Sequence, residues 1–315
     1  MSDPSIIFIL GLPRSGTHLL RFALDKSREV AFVPETAILY KYWGSRTLGR
    51  LLGRPFVARV LARSMVTGHG DPTMANFMHR EAAIAAAASQ PPGLGSAAGV
   101  LGAFFEDPPK FVGEKSPNNT LHVRNVLAAS DEAERTRLVF ITRDPYDQIA
   151  SSVRTGHIGG GLIAALARHY VYHAAIEGLD VYKVGYETLV TAPDPTLRAL
   201  CTHLGIAFKP EMLRPGVLDS SEGTSFFQQG DFGFIPDSIG KGRDRLGPKA
   251  AARVDAFLVR GSASLPLRSR ILFWFQVLMI SRNRRAAQLG LVMLKTVFIA
   301  SMRGTRAANK RQGTS

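Results

Sequence analysis

This chain of 315 residues has a single cysteine, no acidic residues in its last 60 positions and no long apolar run. The single cysteine, Cys201, excludes an internal disulfide or a cysteine zinc cluster, so a reducing compartment is the default expectation. The apolar run at the N-terminus ends at Pro13, too early for a signal peptide or a membrane span. We therefore expect a cytoplasmic location.

The net charge of +14 is concentrated at one end of the chain. Residues 256–315 contain eleven lysines and arginines and no aspartate or glutamate, so the first 255 residues carry only +3. This composition, with the apolar blocks Ile271–Ile280 and Leu289–Met302, suits a segment that lies peripherally on the anionic inner face of a membrane. A packed helical subdomain or an oligomer contact is the alternative, and the apolar blocks argue against a nucleic-acid arm.

The most informative motif is a glycine turn between an apolar strand and a helix, Phe8-Ile-Leu-Gly-Leu-Pro-Arg-Ser-Gly-Thr-His-Leu-Leu20. Such a turn aims backbone N–H groups and a helix N-terminus at one point, which favours an anion. A Walker loop has lysine and a Mg²⁺-binding hydroxyl after its last glycine, whereas this chain has Thr17 and His18 there. The motif predicts a phosphate-containing ligand bound without Mg²⁺, with Arg14 supplying positive charge.

Short apolar runs alternate with helical segments along the chain, which predicts an α/β fold with a central, P-loop-like parallel sheet flanked by helices. The predicted strands are Ile6–Leu10, Val30–Val33, Leu138–Thr142 and Val181–Tyr186. We assign residues 1–262 to one domain and residues 263–315 to a basic, amphipathic C-terminal segment. Within the domain, residues 41–103 are predicted to form a helical insertion on the acceptor side of the site.

A second motif, Arg143-Asp-Pro-Tyr-Asp-Gln-Ile-Ala-Ser151, follows one of these strands. Asp144 can cap the next helix and Pro145 can open it, so Arg143 lies at the carboxyl end of a strand, where open α/β sheets bind ligands. Ser151 lies about two turns into that helix. A capped helix with an Arg–Asp pair explains the same spacing equally well.

Together the two motifs resemble those of sulfotransferases that use 3′-phosphoadenylyl sulfate (PAPS), especially the branch of tyrosylprotein, carbohydrate and many bacterial enzymes. That family has a Pro-Arg-Ser-Gly-Thr-Thr loop and an Arg-Asp-Pro motif followed by a serine; this chain has Pro13–His18, and Arg143 with Ser151. Further family landmarks occur in the same order, and the resemblance spans about residues 5–260. These landmarks are Glu114-Lys-Ser-Pro117, Gly185-Tyr-Glu-Thr-Leu-Val190, His203-Leu-Gly-Ile-Ala-Phe208 and Ser238-Ile-Gly-Lys-Gly-Arg243.

The resemblance implies transfer of a sulfuryl group from PAPS to a hydroxyl of a carbohydrate, glycolipid or other small acceptor, without a metal ion. The donor-binding residues that it implies are Arg14, Ser15, Gly16, Thr17, His18, Arg143, Ser151, Tyr186, Ser238, Lys241 and Arg243. Residues 14–18 would contact the 5′-phosphosulfate, and Arg143 with Ser151 the 3′-phosphate. Tyr186 can equally be a core tyrosine with an anchored hydroxyl.

Transfer to a hydroxyl needs a general base and a cation for the departing oxygen. Glu35 matches the spacing of the catalytic glutamate in the tyrosylprotein branch; a glutamate that stabilises a helix start is the alternative, and His18 or His122 could share the role of base. Lys115 matches a family lysine that, with Arg14, supports the sulfuryl group or the leaving oxygen. His18 replaces a family threonine, so its imidazole either donates to the phosphosulfate or points away.

Two other functional classes explain parts of the pattern. A P-loop kinase would use ATP, and it would need Mg²⁺ and a loop lysine. A non-catalytic relative would bind the nucleotide or a membrane partner as a scaffold, and it would tolerate Glu35→Ala. No motif specifies the acceptor or the oligomeric state.

Overall fold

A computed structural model describes residues 4–33, 85–86, 94–105, 109–127, 135–155, 161–215 and 233–281 of the chain. Glu35, most of the 41–103 insertion and residues 282–315 lie outside these ranges. The chain divides into two units. The first contains residues 1–144 and 175–239, and the second contains residues 145–174 and 240–315.

A sheet of five parallel strands forms the centre of the first unit, in the order β2-β3-β1-β4-β5. The strands are β1 (Ser5–Gly11), β2 (Val30–Val33), β3 (Phe111–Lys115), β4 (Thr136–Thr142) and β5 (Tyr182–Gly185). The predicted α/β class and all four predicted strands are confirmed. The parallel arrangement matters for function because it brings the carboxyl ends of neighbouring strands to one edge.

The central strand β1 is buried along its apolar run, and Ile7, Phe8, Ile9 and Leu10 have no exposed surface. Continuous apolar sequence is typical of a parallel strand that is covered on both faces. Leucines of the following helix α1 (Thr17–Leu24) belong to the same core cluster as Ile7 and Ile9. Burying this strand therefore fixes where the loop between β1 and α1 begins and ends.

Strand β3 is the element that the sequence did not predict. Only Phe111 and Val112 are apolar in its five residues, and the run ends in Gly113, Glu114 and Lys115. All five residues are nevertheless buried. Charged residues are almost never fully buried without partners, so a strand that ends in glutamate and lysine violates the pattern by which strands are recognised.

Helices complete the first unit on either side of the sheet. They include α2 (Leu94–Gly102), α3 (Val123–Leu127), α6 (Tyr186–Thr191) and α7 (Pro193–Leu204), with a 3₁₀ turn over Pro117–Leu121. Helices α1, α6 and α7 contribute leucines to the core cluster that contains β1 and β4. Helix α2 lies within the described part of the 41–103 range, and the prediction of a helical insertion over the whole range stays a prediction.

The described part of the second unit is helical. Its elements are α4 (Pro145–Thr155), most of α5 (Gly161–Ile176), α8 (Gly242–Arg260) and α9 (Leu267–Ile280). Helix α4 begins at Pro145 as predicted. Helix α8 is interrupted at Gly247, because the following Pro248 disfavours helical backbone at the residue before it. Helix α9 packs Phe273 against Tyr170 of α5 and Phe257 of α8.

Candidate active site

Polar and charged groups meet at the carboxyl edge of the sheet. Strand β1 ends at Gly11, β3 at Lys115, β4 at Thr142 and β5 at Gly185. These strands are neighbours and parallel, so the segments that follow them lie along the same edge. In open α/β folds this edge is where ligands bind. Arg14, His18, Lys115, Arg143 and Tyr186, all predicted site residues, are brought together here.

The loop after β1 is held in a defined conformation at both of its ends. At its start, the Gly11 N–H donates to Thr120 Oγ1 at 3.1 Å. At its end, Gly16 is the N-cap of α1 with a φ of 93°. A Cβ at position 16 would lie 2.3 Å from Cδ2 of Tyr186, so both the backbone conformation and the neighbouring ring require glycine.

Arg14 has a positive φ of 74°, which is unusual for a residue with a side chain. Its carbonyl accepts a hydrogen bond from the Arg143 guanidinium at 3.0 Å. Strained backbone is maintained only where its surroundings impose it, and it is concentrated at functional sites. Arg143 therefore supports the conformation of the loop that carries Arg14.

Arg143 also stacks on an aromatic ring. Its guanidinium carbon lies 4.4 Å from the centroid of the Tyr186 ring, and that ring contacts Gly16 on the other motif. The two motifs thus meet through one arginine and one tyrosine, although 129 residues separate Arg14 from Arg143. Tyr186 is thus part of the cluster at the loop, and its contact with the nucleotide stays a prediction.

Ser15 provides the clearest indication that the loop binds a ligand. Its side chain is 1% exposed, and its hydroxyl has no hydrogen-bond partner among the residues that the structure describes. A buried hydroxyl without a partner costs free energy, about 1–3 kcal/mol. In addition, the first amides of a helix such as α1 have no acceptor within the helix. An anion in the loop would satisfy both kinds of donor.

Lys115 supplies a positive charge to this loop from the neighbouring strand. The lysine is completely buried, and its Nζ lies 2.8 Å from Nε2 of His18 in the first turn of α1. A Walker loop carries its lysine at the position of Thr17, one residue before His18. The lysine that a Walker loop would carry at position 17 is absent, and β3 instead brings a lysine ammonium to the first turn of α1.

Glu114, the first residue of the Glu114–Pro117 landmark, has a structural role that the sequence did not predict. It is completely buried, and its carboxylate accepts hydrogen bonds from the Ser116 hydroxyl and the Asn119 amide. These bonds fix the turn that leads from β3 into the Pro117–Leu121 segment, which carries Thr120. Since Thr120 binds Gly11, the network connects the end of β3 to the start of the loop.

Glu187, beside Tyr186 at the start of α6, likewise has a role that the sequence did not predict. Its carboxylate accepts the N–H of Asp144 at 2.8 Å. The bond joins the chain just after Arg143 to the chain just after β5, and so it restricts the segment from which Arg143 extends. Sequence spacing gives no signal for this contact, because it depends on β4 and β5 being neighbours.

The remaining predicted donor-binding residues on described backbone belong mainly to the second unit. Ser151 is buried on α4, and Lys241 is the exposed N-cap of α8. Arg243 pairs with Asp255, and its guanidinium stacks 4.2 Å from the centroid of the Tyr146 ring. The hydrogen bond from Tyr146 lowers the pKa of Asp255, and it raises the pKa of Tyr146 itself. These contacts give Arg243 a structural role within its own unit.

The described residues include some, but not all, of the other site residues predicted from the sequence. Ser238 ends a 3₁₀ turn in the first unit, and His122 is buried directly after the Pro117–Leu121 turn. Glu35, the candidate base, lies outside the described residues.

Cys201 is in the core on α7, where burial raises the pKa of its thiol to about 11. Among the described residues, no group of His, Cys, Asp or Glu could hold a metal ion, and none of their helices could span a membrane.

The fold is that of a P-loop-like α/β protein, with a glycine loop at the carboxyl edge of its parallel sheet. Residues 4–210 match the sequence profile of the Sulfotransferase family, which covers more than half of the chain, so the protein belongs to this family and is a sulfotransferase. A comparison with curated protein sequences finds no match.

Solved structures with a similar fold include sulfotransferase domains. The domain from the Synechococcus PCC 7002 olefin synthase is 22% identical, with a TM-score of 0.51 over 84% of this chain and 98% of that one. The domain from the curacin biosynthetic pathway is 21% identical, with a TM-score of 0.43 over 79% and 90% of the two chains. A sulfotransferase from Alicyclobacillus acidocaldarius is 16% identical, with a TM-score of 0.41 over 84% and 95%. The first of these likenesses shows a shared fold.

Proposed function

We propose that this sulfotransferase transfers the sulfuryl group of PAPS to a hydroxyl of a carbohydrate, glycolipid or other small acceptor, without a metal ion. The observation that carries the proposal is the contact of Lys115 with His18 beside the loop that contains Arg14, together with a buried Ser15 hydroxyl in that loop that has no hydrogen-bond partner among the described residues. This arrangement offers donors and positive charge to a phosphosulfate. Arg143 and Ser151 are the proposed contacts of the 3′-phosphate, as the family resemblance implies.

The residues divide the chemistry among them. The proposed base, Glu35, takes the proton of the acceptor hydroxyl as that oxygen forms its bond to sulfur. The sulfur–oxygen bond to the phosphate breaks, and its electron pair stays on the phosphate oxygen. Lys115 and Arg14 neutralise the charge that develops there, an interaction that is strongest where water is excluded.

Labelled PAPS provides the direct test of this function. We expect the protein to transfer ³⁵S from PAPS to one fraction of a polar and lipid extract, to keep this activity in EDTA, and to lose it in Glu35→Gln. Loss of a general base typically costs about 10²–10⁴-fold in rate. Mg²⁺-dependent ATP binding without PAPS turnover would instead indicate a kinase, and binding of adenosine 3′,5′-bisphosphate without transfer to any fraction would indicate a scaffold.

We also propose that the C-terminal segment lies on an anionic membrane surface, which would favour a lipid-linked acceptor and a peripheral position at the inner face of the membrane. Helix α9 buries Phe273, Trp274 and Val277, whereas its opposite side exposes half of Phe275 and about two thirds of Met279. Residues 256–315 contain bases and no acids. Apolar side chains beside basic ones are the combination that binds anionic lipid surfaces.

Vesicle sedimentation tests the membrane proposal. We expect binding to vesicles of phosphatidylcholine with phosphatidylglycerol and little binding to phosphatidylcholine alone, since each base near the surface contributes about 1 kcal/mol. The variant F275S/M279S should bind roughly tenfold or more weakly, because it removes two insertable side chains. Ile235→Ser, at an exposed apolar residue of the other unit, is the matched control. Equal binding to both vesicle types would contradict the proposal.

A further inference from the structure

We propose that His18 is a positioning residue for Lys115: its imidazole accepts a hydrogen bond from the lysine ammonium and fixes the direction of that charge beside the loop. The inference rests on the proposed function, in which Lys115 stabilises the departing phosphate oxygen. It gives His18 a role different from the three considered from its sequence position, namely a base, a donor to the phosphosulfate or a ring that points away, since Nε2 of the ring contacts Lys115 at 2.8 Å.

The donor and acceptor roles in this pair follow from the chemistry of the two groups. An ammonium has three N–H donors and no acceptor, so the His18 Nε2 must present its lone pair to Lys115. That requires a neutral ring with its proton on Nδ1. A doubly protonated ring would place two positive charges 2.8 Å apart at the positive end of α1, which strongly disfavours it.

A neutral acceptor has an advantage over a carboxylate at this position. A carboxylate hydrogen-bonded to Lys115 would orient the ammonium but would also neutralise the charge that the reaction uses. An imidazole orients the ammonium and leaves its charge intact. Direction matters because a misplacement of about 1 Å in a reacting group can cost about 10²-fold in rate.

The surroundings restrict both side chains of this pair. Lys115 has no exposed surface, and it is the last residue of β3, in register with Ile9 of β1. The His18 ring lies near Phe22, one turn further along α1, with 6.2 Å between the ring centroids. A buried lysine on a strand and a ring supported on a helix have few alternative positions.

A pair of variants isolates the acceptor. His18→Met keeps a side chain of similar length without the acceptor, and His18→Gln restores an amide oxygen at a similar reach. We expect H18M to lower kcat about 10–100-fold and H18Q to recover most of that loss. The dissociation constant of adenosine 3′,5′-bisphosphate, which lacks the sulfuryl group, should stay within about twofold. His203→Met, at an exposed histidine on α7, is the matched control.

A double-mutant cycle tests whether His18 acts through Lys115. If it does, H18M/K115M transfers the sulfuryl group no more slowly than K115M alone. Multiplicative losses would overturn the inference, and so would an H18Q variant no faster than H18M or weaker bisphosphate binding in parallel with the loss of kcat. His18→Ala with added imidazole gives a second route if H18M unfolds, and rescue of kcat is the expected result. Absence of transfer by the unmodified protein would overturn the proposed function and this inference together.

Discussion

Lys115→Met is expected to slow sulfuryl transfer by about 10²–10³-fold, the usual cost of removing a donor that stabilises transition-state charge in a water-excluded site. The lysine is completely buried at the end of β3, so its charge acts where solvent screens it least. Methionine fills a similar volume, and it removes a charge that is costly to bury. The variant should therefore melt at or above the temperature of the unmodified protein while its kcat collapses.

Lys110→Met is the matched control for this prediction. Lys110 directly precedes the same strand, but its side chain is 59% exposed and its partner Glu29 lies 3.6 Å away. Exposed ion pairs contribute about 0–1 kcal/mol, so neither kcat nor the melting temperature should change much. Full activity of K115M would show that Lys115 has a structural role, and the cation for the leaving oxygen would then have to be sought elsewhere in the site.

The sequence predicted the parts of the site that depend on local pattern. An apolar run, a glycine turn and a helix start are adjacent in the chain, so the β1–loop–α1 unit was predictable without knowledge of the rest. The start of α4 at Pro145 was predictable for the same reason. In each case the physical cause, a buried strand or a proline in the first turn, acts within a few residues.

The unpredicted parts depend on which strands are neighbours. The contact between His18 and Lys115 joins residues 97 positions apart, and it requires β3 to lie beside β1. Strand β3 itself was not predicted, because it ends in two charged residues. Glu114 and Lys115 can be buried because they have hydrogen-bond partners elsewhere in the fold, and a periodic sequence pattern does not reveal those partners. The motifs predicted positive charge at the site, whereas composition placed most of the basic residues near the C-terminus; the contact of Lys115 with α1 follows only from the topology of the sheet.

Gly16→Ala is expected to weaken the binding of adenosine 3′,5′-bisphosphate by about 100-fold, measured by calorimetry. Two costs combine. A left-handed backbone costs about 1–2 kcal/mol for a residue with a Cβ, and that Cβ would lie 2.3 Å from Cδ2 and 2.9 Å from Cε2 of Tyr186. Either the ring or the loop must move. Because the same ring stacks on Arg143, both motifs would be displaced together.

The Gly178→Ala variant is a control that separates the cost of backbone strain from the cost of the steric clash with Tyr186. Gly178 also has a positive φ, 71°, but a Cβ there meets no atom within 4 Å, so G178A should lose about 1–2 kcal/mol of stability and no affinity. In a Tyr186→Ala background the collision is absent, and adding G16A should then weaken binding about tenfold or less, as strain alone predicts. A full 100-fold loss in that background would mean that Gly16 is needed for the approach of the ligand, since Ile141 Cδ1, at 3.4 Å from the added Cβ, is at ordinary contact distance.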